Sequence, residues 1–223
     1  MQVIRTHIEL DLEGALAEAL AAVDMAELLS MVRLDLDQEG MEYAAQHSYF
    51  HVNGFHRLTL PLLLDTQARV RLHIWPASSA HAEQSDAHNH RWKFVSRSLY
   101  GVLENTIYEP LPESGPFFRY RHTSPTRDGS HYSFSSEGRS QLDLRQVQLL
   151  REQESYSMLP DPVHRVRNIG PAAATLVVEF PFCRPSTDVY ARLPKEEGSS
   201  VRPRRHSPYE IDRLLSDVLK GIR

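Results

Sequence analysis

From residue 48 onward the chain consists of strand-length runs of β-branched, aromatic and leucine residues, each closed by a turn signal. Runs at 48–52, 55–65 and 68–75 come first, separated by Asn53-Gly54 and Asp65-Thr66-Gln67. After a small, polar loop at 76–87, strands are expected at 88–99, 101–109, 117–123, 130–136, 144–152, 155–159, 163–168 and 173–182. Breaks fall at 110–116, 125–129, Glu137-Gly138 and Gly170-Pro171. Short strands at this spacing predict a mainly β chain, an antiparallel β-barrel or double-sheet jelly roll.

Helices flank this core. Residues 10–34 carry Leu10, Leu12, Leu16, Leu20, Val23, Met25, Leu28, Leu29 and Val32 at helical spacing, and no glycine or proline interrupts from Ala15 to Asp35. The spacing predicts a helix broken near Val23-Asp24. Residues 183–206 hold Pro185, Pro194, Gly198 and Pro203 and read as an irregular connection. Ser207-Pro208-Tyr209-Glu210 then sets serine at the N-cap, proline at the first helical position and glutamate at the third. That is a capping box with a pre-set first φ, opening a helix expected to stop near Gly221. The organisation expected is a helical segment over 1–47, a β-barrel over 48–182, and a connection plus helix over 183–223, all in one domain.

Composition narrows the function. With 25 basic and 29 acidic residues the net charge is −4, so no basic field favours nucleic acid. The single cysteine, Cys183, rules out an intrachain disulfide and fits a reducing compartment. No apolar run is long enough for a transmembrane helix, and the N-terminus lacks a signal-peptide pattern. A cytoplasmic protein is expected, with a small-molecule partner and neither nucleic acid nor membrane.

The chemistry is concentrated in Asp86-Ala87-His88-Asn89-His90. On a strand, side chains two apart leave the same face, so His88 and His90 can converge on one ion. His164, in Pro162-Val163-His164-Arg165, supplies a third imidazole from a strand that folding brings alongside. Three imidazoles suit iron, copper or zinc and leave coordination positions open for water, oxygen or substrate.

These residues resemble the two motifs of the cupin superfamily. In the first motif two histidines flank one residue, then a glutamate and a glycine follow; His88, His90 and Gly101 match. Phe94 stands at the glutamate position and cannot ligate. In the second motif a histidine precedes an asparagine; His164 and Asn168 match, while Pro160-Asp161-Pro162 departs from the usual Pro-x-Gly. The resemblance spans roughly residues 55–182 and implies a cupin-type double-stranded jelly roll. A three-histidine centre without carboxylate is similar to the thiol dioxygenases, of which cysteine dioxygenase is one. It implies mononuclear non-haem Fe2+, with Zn2+, Mn2+ or Cu2+ as alternatives, and a small polar substrate oxidised by O2. The serine-histidine-tyrosine relay of that group is absent, since Glu179 stands at the relay histidine's position. Two other readings fit the same residues: a Lewis-acid isomerase, cyclase or lyase that needs no O2, and a cupin that binds a small ligand without turnover. The resemblance also implies pairing into a homodimer through a sheet edge.

Further candidates follow from parity. Arg71, His73 and Trp75 share one strand face. If that face is inward, Arg71 can clamp a substrate carboxylate and His73 adds a polar contact; if not, Leu72 and Ile74 fill the core instead. Trp92 and Phe94 continue the parity of the two ligands and are expected to wall the pocket. Arg91, Lys93 and Arg97 then face solvent, unless a bulge follows His90. Glu179, in an apolar strand, needs a partner and is a candidate base. Tyr156 is a candidate hydroxyl donor near the mouth. His47, His51, His56, His122 and His131 lack partners at ligand spacing and read as surface or satisfied core residues.

Overall fold

The computed structural model describes residues 18–20, 22–62, 68–77, 85–111, 115–123, 132–196, 200–201 and 203–222. The strands are β1 (Tyr49–His51), β2 (Phe55–Leu60), β3 (Arg69–Trp75), β4 (Ala87–His88), β5 (Trp92–Tyr100), β6 (Leu103–Leu111) and β7 (Phe117–Thr123). They continue as β8 (Tyr132–Leu150), β9 (Ser155–Met158), β10 (Val163–Asn168), β11 (Ala173–Phe182), β12 (Thr187–Ala191) and β13 (Ser200–Val201). One sheet runs β1-β2-β3-β11-β5-β9 and the other β13-β8-β6-β10-β4-β12-β7. Every pairing among the described residues is antiparallel, and the inner orders β3-β11-β5-β9 and β8-β6-β10-β4 are those of an eight-stranded jelly roll. The mainly β fold expected from the sequence is the fold observed.

Two expectations about the strands are corrected. The break at Glu137-Gly138 does not divide the chain. Gly138 takes φ +94° and bends one long strand, β8, whose first half pairs with β7 and second half with β6. Nor is 183–206 irregular throughout: β12 inserts between β4 and β7 with Thr187–Ala191 all buried, and β13 pairs with the start of β8.

The helices are α1 (Met25–Asp35), α2 (Gln38–His47) and α3 (Pro208–Gly221). The Asp24 carboxylate caps α1 by accepting from the N–H groups of Ala26 and Glu27, which places the break where the sequence predicts it. The earlier part of the expected helix, with Leu10, Leu12 and Leu16, lies outside the described residues. Ser207 and Glu210 close the capping box of α3. Ile211, Leu214, Leu215 and Val218 of α3, with Leu29 and Val32 of α1, cover Leu58, Leu60, Val70, Leu72, Ile74, Val95, Leu176 and Val178. The largest apolar core therefore lies between the helices and the outer face of the first sheet. Each fully buried aliphatic side chain there contributes about 1.5–3 kcal/mol.

That placement leaves the interior of the sandwich to the other residues of β3. Its closed end is an apolar plug of Trp75, Leu103, Leu150 and Ala173. Gly101 turns the chain beside it at φ +83°, where a Cβ would lie 2.2 Å from the Ala172 carbonyl oxygen. Above the plug, Phe94, Met158 and Val177 form a second apolar layer. The polar site begins on top of that layer.

Candidate metal centre

His88 ends β4, and its direct partner across the β4–β10 pair is His164. Directly opposed residues on antiparallel strands project to the same face. His90 arrives differently from the expectation of one continuous strand over 88–99. β4 belongs to the second sheet and β5 to the first, so residues 89–91 cross between sheets. The crossing is held by the His90 N–H, which donates to the Pro160 carbonyl at 3.0 Å. The ring centroids are 5.0 Å apart for His88–His90, 5.2 Å for His88–His164 and 4.9 Å for His90–His164. One nitrogen from each ring lies within 4.8 Å of the others.

The hydrogen bonds assign the ring tautomers. His88 Nδ1 donates to the Asp86 carbonyl at 3.0 Å, and His164 Nδ1 donates to Asn105 Oδ1 at 2.9 Å. Both Nε2 atoms then carry lone pairs. Burial pushes all three imidazoles below their usual pKa, and the neighbouring imidazoles push His90 and His164 further in the same direction. The donor set is thus neutral at physiological pH. His90 Nε2 and His164 Nε2 stand 2.8 Å apart, close to the spacing of two adjacent nitrogens on one metal at roughly 2.1 Å. These residues fit a divalent transition metal held by three imidazoles, with second contacts from Asp86 and Asn105 of the kind that orient metal-bound histidine.

A cavity of about 160 Å³ opens beside His88 and His90. It is the size of an engineered cavity of about 150 Å³ that takes benzene. Its lining carries Arg57, Arg69, Arg71, Arg91 and Lys195 against Asp86 and Glu179. Lys195 pairs with Asp86 at 2.7 Å, and Arg71 pairs with Glu179. The cavity is therefore electropositive and favours anions.

The other sequence candidates divide between this cavity and the layer beneath it. Arg71, His73, Trp92 and Glu179 line it. Leu72 and Ile74 do fill a core, but it is the one under the helices, which turns Arg71 and His73 inward. Arg71 lies over the Trp92 ring at 5.6 Å. Burial, then Arg57 and Arg71, hold His73 well below its usual pKa. Phe94 is not on the wall: it stands in the layer below, its ring 4.9 Å from His90 and 6.2 Å from His164. Tyr156 packs edge-on against Phe94 at 5.7 Å, away from the mouth, and burial pushes its phenol well above the usual value. Phe94 keeps the inward parity of His90 and Trp92 but lies one layer deeper along β5, and Tyr156 packs against it there.

Sequence reasoning also missed residues. His51 and His122, expected as background, line the cavity. Nothing local marks them, because β1 and β7 are brought to the mouth only by the sheet order. Arg91 lines the cavity too, and Arg97 is buried, donating to the carbonyls of Leu20 and Val23 instead of facing water. His47 binds the Tyr43 carbonyl, and His56 lies 3.4 Å from His206, both far from the centre; His131 lies outside the described residues. The motif residues Gly101 and Asn168 have turn-forming roles: Asn168 Oδ1 accepts from the Gly170 N–H at 3.0 Å.

No protein-family model and no curated protein matches this chain. Solved structures align with part of it. An oxalate decarboxylase variant from Bacillus subtilis aligns at 14% identity and TM-score 0.35, over 61% of this chain and 27% of that one. Oxalate oxidase in complex with the substrate analogue glycolate aligns at 16% identity and TM-score 0.35, over 61% and 55%. Procruciferin, an 11S globulin from Brassica napus, aligns at 9% identity and TM-score 0.36, over 60% and 29%. The chain thus spans 27% to 55% of the lengths of these three proteins. Alignments at these scores carry no argument, and the site stands on its own residues.

Proposed function

We propose that this protein is a mononuclear non-haem Fe2+ oxygenase that oxidises a small, polar, anionic molecule with O2. The observation that carries the reading is the convergence of His88, His90 and His164 without a carboxylate among them, beside a cavity of single-ring size. Three neutral donors leave the ion its full charge and leave open positions for substrate and oxygen. Bound iron supplies the one-electron route between a spin-paired substrate and O2.

The chain's own groups do the rest. Arg71 receives an oxyanion of the substrate in a bidentate contact, at the face where Trp92 excludes water. Glu179, 3% exposed, keeps Oε2 without a hydrogen-bond partner among the described residues. In this reading that oxygen would accept a proton from a substrate held beside the three histidines.

The same Glu179 oxygen favours a second reading, in which a Lewis-acid metal drives isomerisation, cyclisation or elimination without O2. An oxygen electrode separates the two. Protein loaded anaerobically with Fe2+ is mixed with a panel of small carboxylates, then exposed to air. Substrate-dependent O2 uptake, lost in His164→Ala, supports the oxygenase. Turnover that persists without O2 and with Zn2+ in place of Fe2+ would replace it with the second reading.

A further inference from the structure

Asn89, between His88 and His90 in sequence, is held from the far side by a strand outside the eight-stranded core. Asn89 and Asp188 of β12 share three hydrogen bonds. Asn89 N–H donates to the Asp188 carbonyl at 3.1 Å, Asn89 Nδ2 donates to Asp188 Oδ2 at 3.0 Å, and Asp188 N–H donates to Asn89 Oδ1 at 2.7 Å. Both residues are buried, at 3% and 9% exposure. The Asp188 carboxylate is braced by Arg119 at 3.2 Å and Arg184 at 3.5 Å. Arg184 also reaches Asp161 at 2.8 Å, next to the Pro160 carbonyl that holds the His90 N–H. One carboxylate thus ties the His88–His90 segment to the segment that leads into His164.

The need for such a clamp is visible in the three rings. His88 and His164 each have an Nδ1 hydrogen bond that fixes the ring. No hydrogen bond holds His90 Nδ1 among the described residues, and His90 lies in a crossing with no strand partner of its own. Its direction comes from ring packing against Phe94 and from its backbone, which is tied at its own N–H to Pro160 and, one residue earlier, at Asn89 to Asp188. We propose that Asn89 and Asp188 are positioning residues of the metal centre: they substitute for the missing contact at His90 and set the affinity and geometry of the three-histidine site. The proposal rests on the reading that these histidines hold a metal.

Co2+ binding tests it without reference to activity, because cobalt's visible bands report both affinity and coordination geometry. Loss of an outer contact to a metal-bound histidine typically weakens binding about 10–100-fold. Asn89→Ala is expected to fold, to bind Co2+ at least about tenfold more weakly and to shift the bands. Asn89→Asp sets two carboxylates against each other, and Asn89→Asp combined with Asp188→Asn restores a carboxylate–amide pair. The single variant is expected to lose affinity although its added charge alone would attract the cation; the double variant is expected to recover it. A merely structural role would lower the melting temperature and leave both readouts of the folded protein unchanged. Folded Asn89→Ala with wild-type affinity and bands overturns the proposal while leaving the metal reading intact, as does a double variant no better than Asn89→Asp. Wild-type protein that binds no Co2+ overturns both. If Asn89→Ala does not fold, the charge-swap pair decides.

Discussion

Arg71 on β3 and Glu179 on β11 form an ion pair inside the sandwich, diagonally across the two strands, with side chains 3% and 4% exposed. Both sit on the face opposite Leu72 and Val178, which pack under the helices. One face of this sheet is therefore apolar under the helices, while the other carries a charged pair above its own apolar layers.

Removing one partner of such a pair strands the other, at a cost of about 3–5 kcal/mol. We expect Glu179→Ala to lower unfolding free energy by that order, and Arg71→Met combined with Glu179→Leu to recover much of it. Urea denaturation of the three proteins checks this. An unchanged midpoint in Glu179→Ala would mean that water solvates the pair.

Asn105 is 1% exposed and its Oδ1 accepts from His164 Nδ1. Without that acceptor the His164 ring loses both its orientation and its tautomer. Asn105→Ala is expected to weaken metal binding about 10–100-fold while the strand pairing around β6 persists. Chelator competition measures the first and far-ultraviolet circular dichroism the second. Wild-type affinity in the folded variant would refute an orienting role.

Much of this was legible before folding. The capping box at Ser207, the break at Asp24 and most strands of the core follow from local chemistry, which is what periodicity and turn residues report. What was not legible depends on which surfaces meet. Alternation in β3 separates Arg71 and His73 from Leu72 and Ile74, but it does not say which set faces the second sheet; α1 and α3 decide that. The His-x-His pair is readable as a ligand pair and its parity carries on to Trp92 and Phe94, but alternation does not report depth along the barrel, so Phe94 and Tyr156 fall below the cavity. His51 and His122 become neighbours of the centre only because their strands, β1 and β7, pair with β2 and β12 at the sheet edges. β12 itself is five residues among prolines, too short to register against its surroundings.

The helical cover makes a separate claim on stability. Ile211 of α3 is fully buried against the first sheet. Ile211→Ala is expected to cost about 2–5 kcal/mol, from lost transfer energy plus the cavity left behind. Ser207→Ala, which removes only the cap, is expected to cost about 1 kcal/mol. Thermal unfolding ranks the two; equal effects would mean that α3 contributes through its end and not its face.

Acid should destabilise the metal-free protein through its buried histidines. Burial first, then neighbouring cationic or imidazole groups, lower His51 to about 3 and His56 and His122 to about 4. Unfolded, each returns to about 6.5. Between these values the unfolded chain binds protons that the folded chain does not, so stability is complete above about pH 6.5 and falls as the pH drops toward 4. Each such histidine removes at most about 1.4 kcal/mol per pH unit, and less where water reaches the ring. His56 isolates the effect because it lies away from the cavity, facing His206, Arg204 and Arg213 with Glu210 opposing them. In His56→Gln the slope of unfolding free energy against pH below 6.5 should be shallower by up to one proton's worth. Urea titrations of both proteins across this range give the two slopes. Identical slopes would show that His56 takes up its proton in the folded state as readily as in the unfolded chain.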